Sequence, residues 1–244
     1  MSPIKEVKHP ESGKTEKVEN VEEVKNAESE ETEELKSSEL GTKDYWEETY
    51  SQELENFEDH GDVGEIWFGE RSSKTMVKYI AGNVPKTARI IDLGCGNGVS
   101  LKHLRDAGYE TLYGADYSPK AIELARKVLD EDKYKGIELL VSDITKPTSF
   151  TPKFDLAFDK GTYDAISLSP DNASMKRRQY LENVRDMLTV DGYLAITSCN
   201  WTKSELTDHF KDLFELEKEI QQPTIKFGGQ TGSHIVQLVF KKRR

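Results

Sequence analysis

The chain has only two cysteines in 244 residues, Cys95 and Cys199. Two thiols cannot build the disulfide framework that staples small secreted domains, and with no His or Cys clustered beside them they form no metal site. Long apolar runs are missing too. None approaches the ~20 residues needed to cross a bilayer. The opening stretch, MSPIKEVKHPESGKTEKVEN, lacks the apolar core of a secretory signal. Positive charge is in deficit: 34 Lys and Arg stand against 45 Asp and Glu, for a formal net charge of −11. That is the wrong sign for a general binder of phosphate backbones. The simplest expectation is a cytoplasmic protein, with the nucleus a second possibility, and no membrane or direct nucleic-acid partner.

Aromatic residues are absent from residues 1–40, which hold twelve Glu against six Lys and only scattered Val, Ile and Leu. Such a segment cannot bury enough apolar surface to offset its ordering entropy, so a disordered acidic tail is expected over 1–40. It reads as a solvated tail ahead of an acidic docking segment. The terminal KKRR reads as a solubilising end ahead of a localisation signal.

From residue 44 the pattern changes. DYWEETYSQELENF spaces Tyr45, Trp46, Tyr50, Leu54 and Phe57 as a helix does, and SSKTMVKYIAGNV predicts a second helix with serine caps, ended by Pro85. Strand-like and helix-like runs then alternate. ARIIDLG, TLYGAD, GIELLVSD, FDLAFDKG and YLAITSCN read as strands, the last fed by a DG turn. GVSLKHLRDAG, SPKAIELARKVLDED and the run from Ala173 to Thr189 read as helices. Ser118 followed by Pro119 is a strong helix start. Alternation of this kind means a mostly parallel sheet with helices on both faces. At the end, FELEKEIQQP and SHIVQLVF are two strand-like runs with no helix between them, so the last strand pair is expected to be antiparallel. The fold class is α/β, Rossmann-like. Ligands of such sheets lie at the carboxyl ends of the strands.

At that position the chain reads IIDLGCGNG, with Gly94, Gly96 and Gly98 at alternate positions after Asp92. Glycine weakens local structure unless positive φ or a close approach requires it. The dinucleotide fingerprint G-x-G-x-x-G is not met, because position 99 is Val. A ligand with a nucleoside but no pyrophosphate fits better. Asp116 closes the second strand eighteen residues after Gly98 and can accept from both ribose hydroxyls. Tyr117 can face a purine. Asp143 can accept from an exocyclic amine, with Ile144 against the ring. Any one of these acids alone reads as an ordinary strand-end aspartate. Three at successive strand ends beside a glycine loop point to S-adenosylmethionine, with Asp92 and the backbone of Gly94, Cys95, Gly96, Asn97 and Gly98 around its amino-acid part.

On these residues the chain resembles the class I, seven-stranded methyltransferases over residues 41–244. DYWEETY, GEIWFGE, IIDLGCGNG, GADYS and FDKGTYDAI together are similar to the eukaryotic lysine methyltransferases that modify translation elongation factor 1-alpha. That resemblance implies cofactor contacts from Trp46, Gly94, Asp116, Tyr117, Asp143, Ile144 and Lys160, with Trp67 closing over the site. For the two tryptophans, core packing is an equal alternative. It also implies a protein-lysine acceptor beside Thr162, Tyr163 and Asp164. One departure stands out. Many seven-stranded lysine methyltransferases carry acid-x-x-aromatic after strand four, whereas Asp159 is followed by Lys, Gly, Thr and then Tyr163.

The expected reaction is in-line attack by an amine lone pair on a sulfonium methyl, and a neutral thioether leaves without metal help. Asp159 is the expected orienter of the acceptor amine, with Asp164 as the other candidate. The alternative is that Asp159 only pairs with Lys160. His103, His209 and His234 have no partnered nucleophile in the sequence. The missing Asn-Pro-Pro-aromatic motif argues against adenine or glutamine amides as acceptors. Rival readings are a small-molecule methyltransferase, disfavoured by the short polar insert ISLSPDNASMKRR, and a non-catalytic cofactor-binding scaffold. A nicotinamide-dependent dehydrogenase fails on the glycine spacing. Nothing in the pattern demands more than a monomer.

Overall fold

The computed structural model describes residues 34–147, 150–221, 225–227, 230–232 and 235–244. Helices α1 (Lys43–His60) and α2 (Gly69–Asn83) precede the alternating part. There follow β1 (Ile90–Leu93), α3 (Val99–Asp106), β2 (Leu112–Asp116), α4 (Pro119–Val128), β3 (Glu138–Val141) and β4 (Phe154–Lys160). Then come α5 (Thr162–Ser167), α6 (Ala173–Met187), β5 (Leu188–Ser198), α7 (Lys203–Phe210) and β6 (Phe214–Glu219). A hairpin of β7 (Ile225–Phe227) and β8 (Gln230–Gly232) leads to β9 (Val236–Lys242).

Seven strands form one sheet in the order β3-β2-β1-β4-β5-β9-β6. Strands β1 to β5 pair in parallel, and β9 runs antiparallel to both β5 and β6. The strand order turns between β1 and β4, which opens a crevice at their carboxyl ends.

Alternation along each strand sends successive side chains to opposite faces. Ile91, Leu93, Ala157, Leu194 and Ile196 meet Tyr180, Val184, Met187, Leu206 and Phe210 from α6 and α7 on one face. Ile90, Leu156, Phe158 and Ala195 meet Met76, Ile80, Leu101 and Leu104 from α2 and α3 on the other. Helix α1 is layered outside α4, through Tyr50 and Leu54 against Ala121, Leu124 and Val128. It thereby overhangs the crevice.

Several local expectations change. Ser72 and Ser73 do not cap α2. They are buried inside it, and the cap position is Phe68 in the left-handed region at φ 62°. The DG pair does not precede a strand: Asp191 and Gly192 lie within β5, where pairing jumps from Phe154–Leu188 to Leu156–Tyr193. The extra residues are accommodated as a bulge. Helix α7 was not expected, although its capping box, Thr202 with Glu205, is written in the sequence.

Residues 1–33 of the expected tail lie outside the described residues. Residues 34–40 lie against the domain: Glu34 pairs with Arg177 at 2.6 Å, Leu35 packs on the core, and Ser38 N–H donates to Leu168 O. The basic C-terminus is tied down as well. Lys241 and Arg244 reach Asp191, and Lys242 and Arg243 donate to the carbonyls of Leu188 and Phe214. Among the described residues, no helix is long and apolar enough to cross a membrane.

Candidate active site

The three glycines answer to neighbouring side chains. All have positive φ, at 65°, 51° and 77°. A methyl group on Gly94 would sit 2.0 Å from Thr162 Oγ1, and one on Gly96 2.6 Å from the Tyr50 hydroxyl. On Gly98 it would press on Ala125 and Leu129 of the α4 end. The loop's N–H groups are likewise used inside the protein. Gly94 and Cys95 donate to Ala115 O, Gly96 to Asp116 Oδ2, and Gly98 to Cys95 O. A loop that spends these donors internally offers a poor cradle for a pyrophosphate.

Beside the loop lies a cavity of about 450 Å³, within the usual range for small-molecule sites. Of the expected residues, its wall includes Trp46, Trp67, Gly94, Cys95, Gly96, Asn97, Asp116, Tyr117, Asp143, Ile144, Lys160, Thr162 and Asp164. Asp92, Gly98, Asp159 and Tyr163 do not line it. Gly98 serves as the left-handed cap of α3. Tyr163 is buried, its hydroxyl 3.0 Å from His209 Nδ1.

The cavity has two halves. The ends of β1, β2 and β3 carry Asp116, Tyr117, Asp143 and Ile144. Asp116 Oδ1 accepts from Ser118 N–H, and burial pushes the carboxyl up to about 6 against these hydrogen bonds. Asp143 is exposed enough for Thr145 and Lys146 to prevail over burial and hold it below the usual carboxylate range. The ends of β4 and β5 supply the other half, with Lys160 through Ser169, Cys199 and Asn200.

A roof crosses both. Trp46 donates through Nε1 to Leu40 O at 2.7 Å, stacks on Tyr50 and meets Trp67 edge-on. The two tryptophans are therefore packed together and face the cavity at once. The Asn97 amide donates to Val63 O and Glu65 O, which fixes the loop bearing Glu65, Trp67 and Phe68. Glu65, Phe68, Leu40, Gly41 and Lys43 were not expected in the wall. Glu65 and Phe68 stand in GEIWFGE, which gave no direction for the side chains, and Leu40, Gly41 and Lys43 carried no signal of their own.

Known proteins agree with this geometry. The model of the methyltransferase domain matches residues 85–242. The mouse protein named EEF1A lysine methyltransferase 2 is 44% identical over 207 residues, covering 84% of this chain and 85% of its own. The chain belongs to the methyltransferase family. The human protein named EEF1A lysine methyltransferase 2 is 42% identical, covering 84% of this chain and 87% of its own, and the Schizosaccharomyces pombe protein-lysine N-methyltransferase efm4 is 35% identical, covering 85% and 95%. Among solved structures, the N-methyltransferase NodS of Bradyrhizobium japonicum with S-adenosyl-L-homocysteine superposes with a TM-score of 0.59 at 17% identity, over 80% of this chain and all 100% of that one. That likeness concerns the fold.

The methyltransferase uses S-adenosylmethionine, and its residues fit that group. The Asp116 carboxylate stands in the wall with acceptor capacity left after two N–H donors. Asp92 is 2% exposed, and it lies in the field of the Lys160 ammonium. A buried carboxylate is costly unless a cation answers it. Burial pushes Asp92 up and Lys160 down, and each pulls the other back through its charge.

Asp159, the expected amine orienter, sits elsewhere. It is fully buried and accepts from Thr162 N–H, Tyr163 N–H and the Tyr180 hydroxyl. Burial raises it to about 7. It anchors the start of α5 against α6, a placement that gives it no face toward an incoming amine. Nor does it form an ion pair with Lys160 among the described residues. Asp164 does line the cavity, where it accepts from Ser198 Oγ at 2.6 Å and Cys199 N–H at 2.8 Å.

Proposed function

We propose that this methyltransferase methylates a lysine of translation elongation factor 1-alpha. The observation that carries the reading is identity across the whole domain with relatives named for that activity, at 42–44%. The cavity geometry supports it. Its β4–β5 half is bordered by the polar groups of Thr162, Asp164, Ser169 and Asn200, and it suits a polar side chain entering end-on.

When bound in the β1–β3 half, S-adenosylmethionine supplies a methyl group on a positive sulfonium. The chain's own residues do the rest. Asp116 and Asp143 hold the nucleoside, Lys160 faces the amino-acid end with Asp92 buried behind it, and the tryptophan roof keeps water out. Holding the acceptor at attack distance is the main catalytic contribution. A lysine amine begins near pKa 10.4 and must shed its proton. Desolvation in the channel and the positive sulfonium both favour the neutral amine, and Asp164 orients the ammonium beforehand. Asp164 takes the role first given to Asp159 because it is the carboxylate of the pair that faces the cavity. The protein acts as a monomer in the cytoplasm, a placement its acidic balance and its substrate both favour.

The deciding experiment incubates purified elongation factor 1-alpha with the enzyme and S-adenosylmethionine and reads peptide masses, beside Asp116→Ala. Added methyl masses on one lysine, lost in the variant, are expected. No added mass with cofactor binding intact by calorimetry would send the search to another acceptor.

A further inference from the structure

The geometry points to Lys176 as the residue that recognises a carboxylate flanking the acceptor lysine. The inference rests on the lysine reading above and deepens it. Lys176 lies on α6 in the run Lys176-Arg177-Arg178, and its neighbours are neutralised one by one. Arg177 holds Glu34 at 2.6 Å and Arg178 holds Glu182 at 3.0 Å. Of the other cavity lysines, Lys43 has Glu47, Lys146 has Asp143, and Lys160 stands in the field of Asp92, Asp159 and Glu65. Among the described residues Lys176 forms no ion pair with a carboxylate. Its Nζ donates to Ser169 Oγ at 2.7 Å, and Ser169 is only 5% exposed, so a buried hydroxyl holds the ammonium at the cavity wall.

That wall belongs to the β4–β5 half, with Thr162, Asp164 and Asn200, where the acceptor enters on the reading above. A cation there without an ion-pair partner works against the pull of Asp164 on the incoming ammonium and adds to the charge of the sulfonium. It becomes an asset when the substrate brings its own negative charge, because charge-assisted hydrogen bonds are the strong ones. An extended chain advances ~3.3 Å per residue, so the carboxylate belongs within about three residues of the acceptor, or beside it on the folded surface.

The test uses the full chain and purified elongation factor 1-alpha, with the methylated lysine located by peptide mass spectrometry. Each Asp or Glu flanking that lysine is changed to Lys, and KM and kcat are measured with the native enzyme, Lys176→Gln and Lys176→Glu. One substrate change is expected to raise KM for the native enzyme about tenfold, from the loss of one charged hydrogen bond. Lys176→Gln should flatten the preference, and Lys176→Glu should reverse it toward the lysine-bearing substrate. Cofactor affinity by calorimetry, within twofold of native, shows that the variants are folded. An identical order of substrates for the native enzyme and Lys176→Glu overturns the proposal, as does a methylated lysine with no carboxylate nearby. Absence of methyl transfer by the native enzyme is a different result, and it overturns the lysine reading itself.

Discussion

Replacing Gly94 by alanine separates two explanations of the glycine loop. If Gly94 serves close approach of the cofactor, the variant binds S-adenosylmethionine weakly but folds as before. The structure favours the other account. The added methyl would lie 2.0 Å from Thr162 Oγ1, at a φ of 65°. Alanine in the left-handed region costs roughly 1–2 kcal/mol. Displacing Thr162 breaks its 2.6 Å hydrogen bond to Leu93 O, worth about 1 kcal/mol. The sum is about 2–3 kcal/mol of folding stability, lost without any ligand present. Urea unfolding of the apo protein should show a midpoint lowered by about 1 M, taking a slope of ~2–3 kcal/mol/M. Thr162→Ala removes the atom that clashes but leaves the φ cost and a Cβ at 3.1 Å. The double variant should therefore be less destabilised than the sum of the single ones. An apo stability of Gly94→Ala within 0.5 kcal/mol of native, or strict additivity with Thr162→Ala, would refute the steric account; the thresholds sit at the usual scatter of independent sites.

Three further outcomes are expected. Asp116 has to be ionised to accept from two hydroxyls, and its carboxyl is raised by burial to about 6. Cofactor affinity measured by calorimetry should accordingly be full above that pH and fall as pH drops through it, with Asp116→Asn weak and flat across the range. Asp159→Asn should lower thermal stability by disturbing the contacts with α5 and Tyr180. Asp164→Asn should instead lower kcat more than cofactor affinity, and a larger kcat loss in Asp159→Asn would return the orienting role to Asp159. Thr202→Ala removes the capping box of α7 and should cost about 1 kcal/mol in unfolding experiments, with cofactor binding unchanged.

What the sequence alone determined was local and periodic. Alternating runs announced the strands and helices, and Ser118-Pro119 announced the start of α4, where Ser118 Oγ accepts from Ala121 N–H. The position of the glycines after β1, with Asp116 ending β2 and Asp143 just past β3, was enough to group residues that line one cavity. These signals depend on geometry repeated over a few residues, so a single chain displays them. Helix α7 was legible in the same way, through Thr202 and Glu205, but its short run lacked a strong apolar stripe.

The tertiary structure decided which partner fills each space. That Gly94 makes room for Thr162, sixty-nine positions after Leu93 whose carbonyl the threonine holds, follows only from β1 lying beside β4. The same pairing turns Asp159 into the core toward Tyr180 and leaves Asp164, one turn into α5, at the cavity. Of these two aspartates, five positions apart, the sequence favoured Asp159. Burial and long-range hydrogen bonds separate them, because both are properties of the packed sheet and helices.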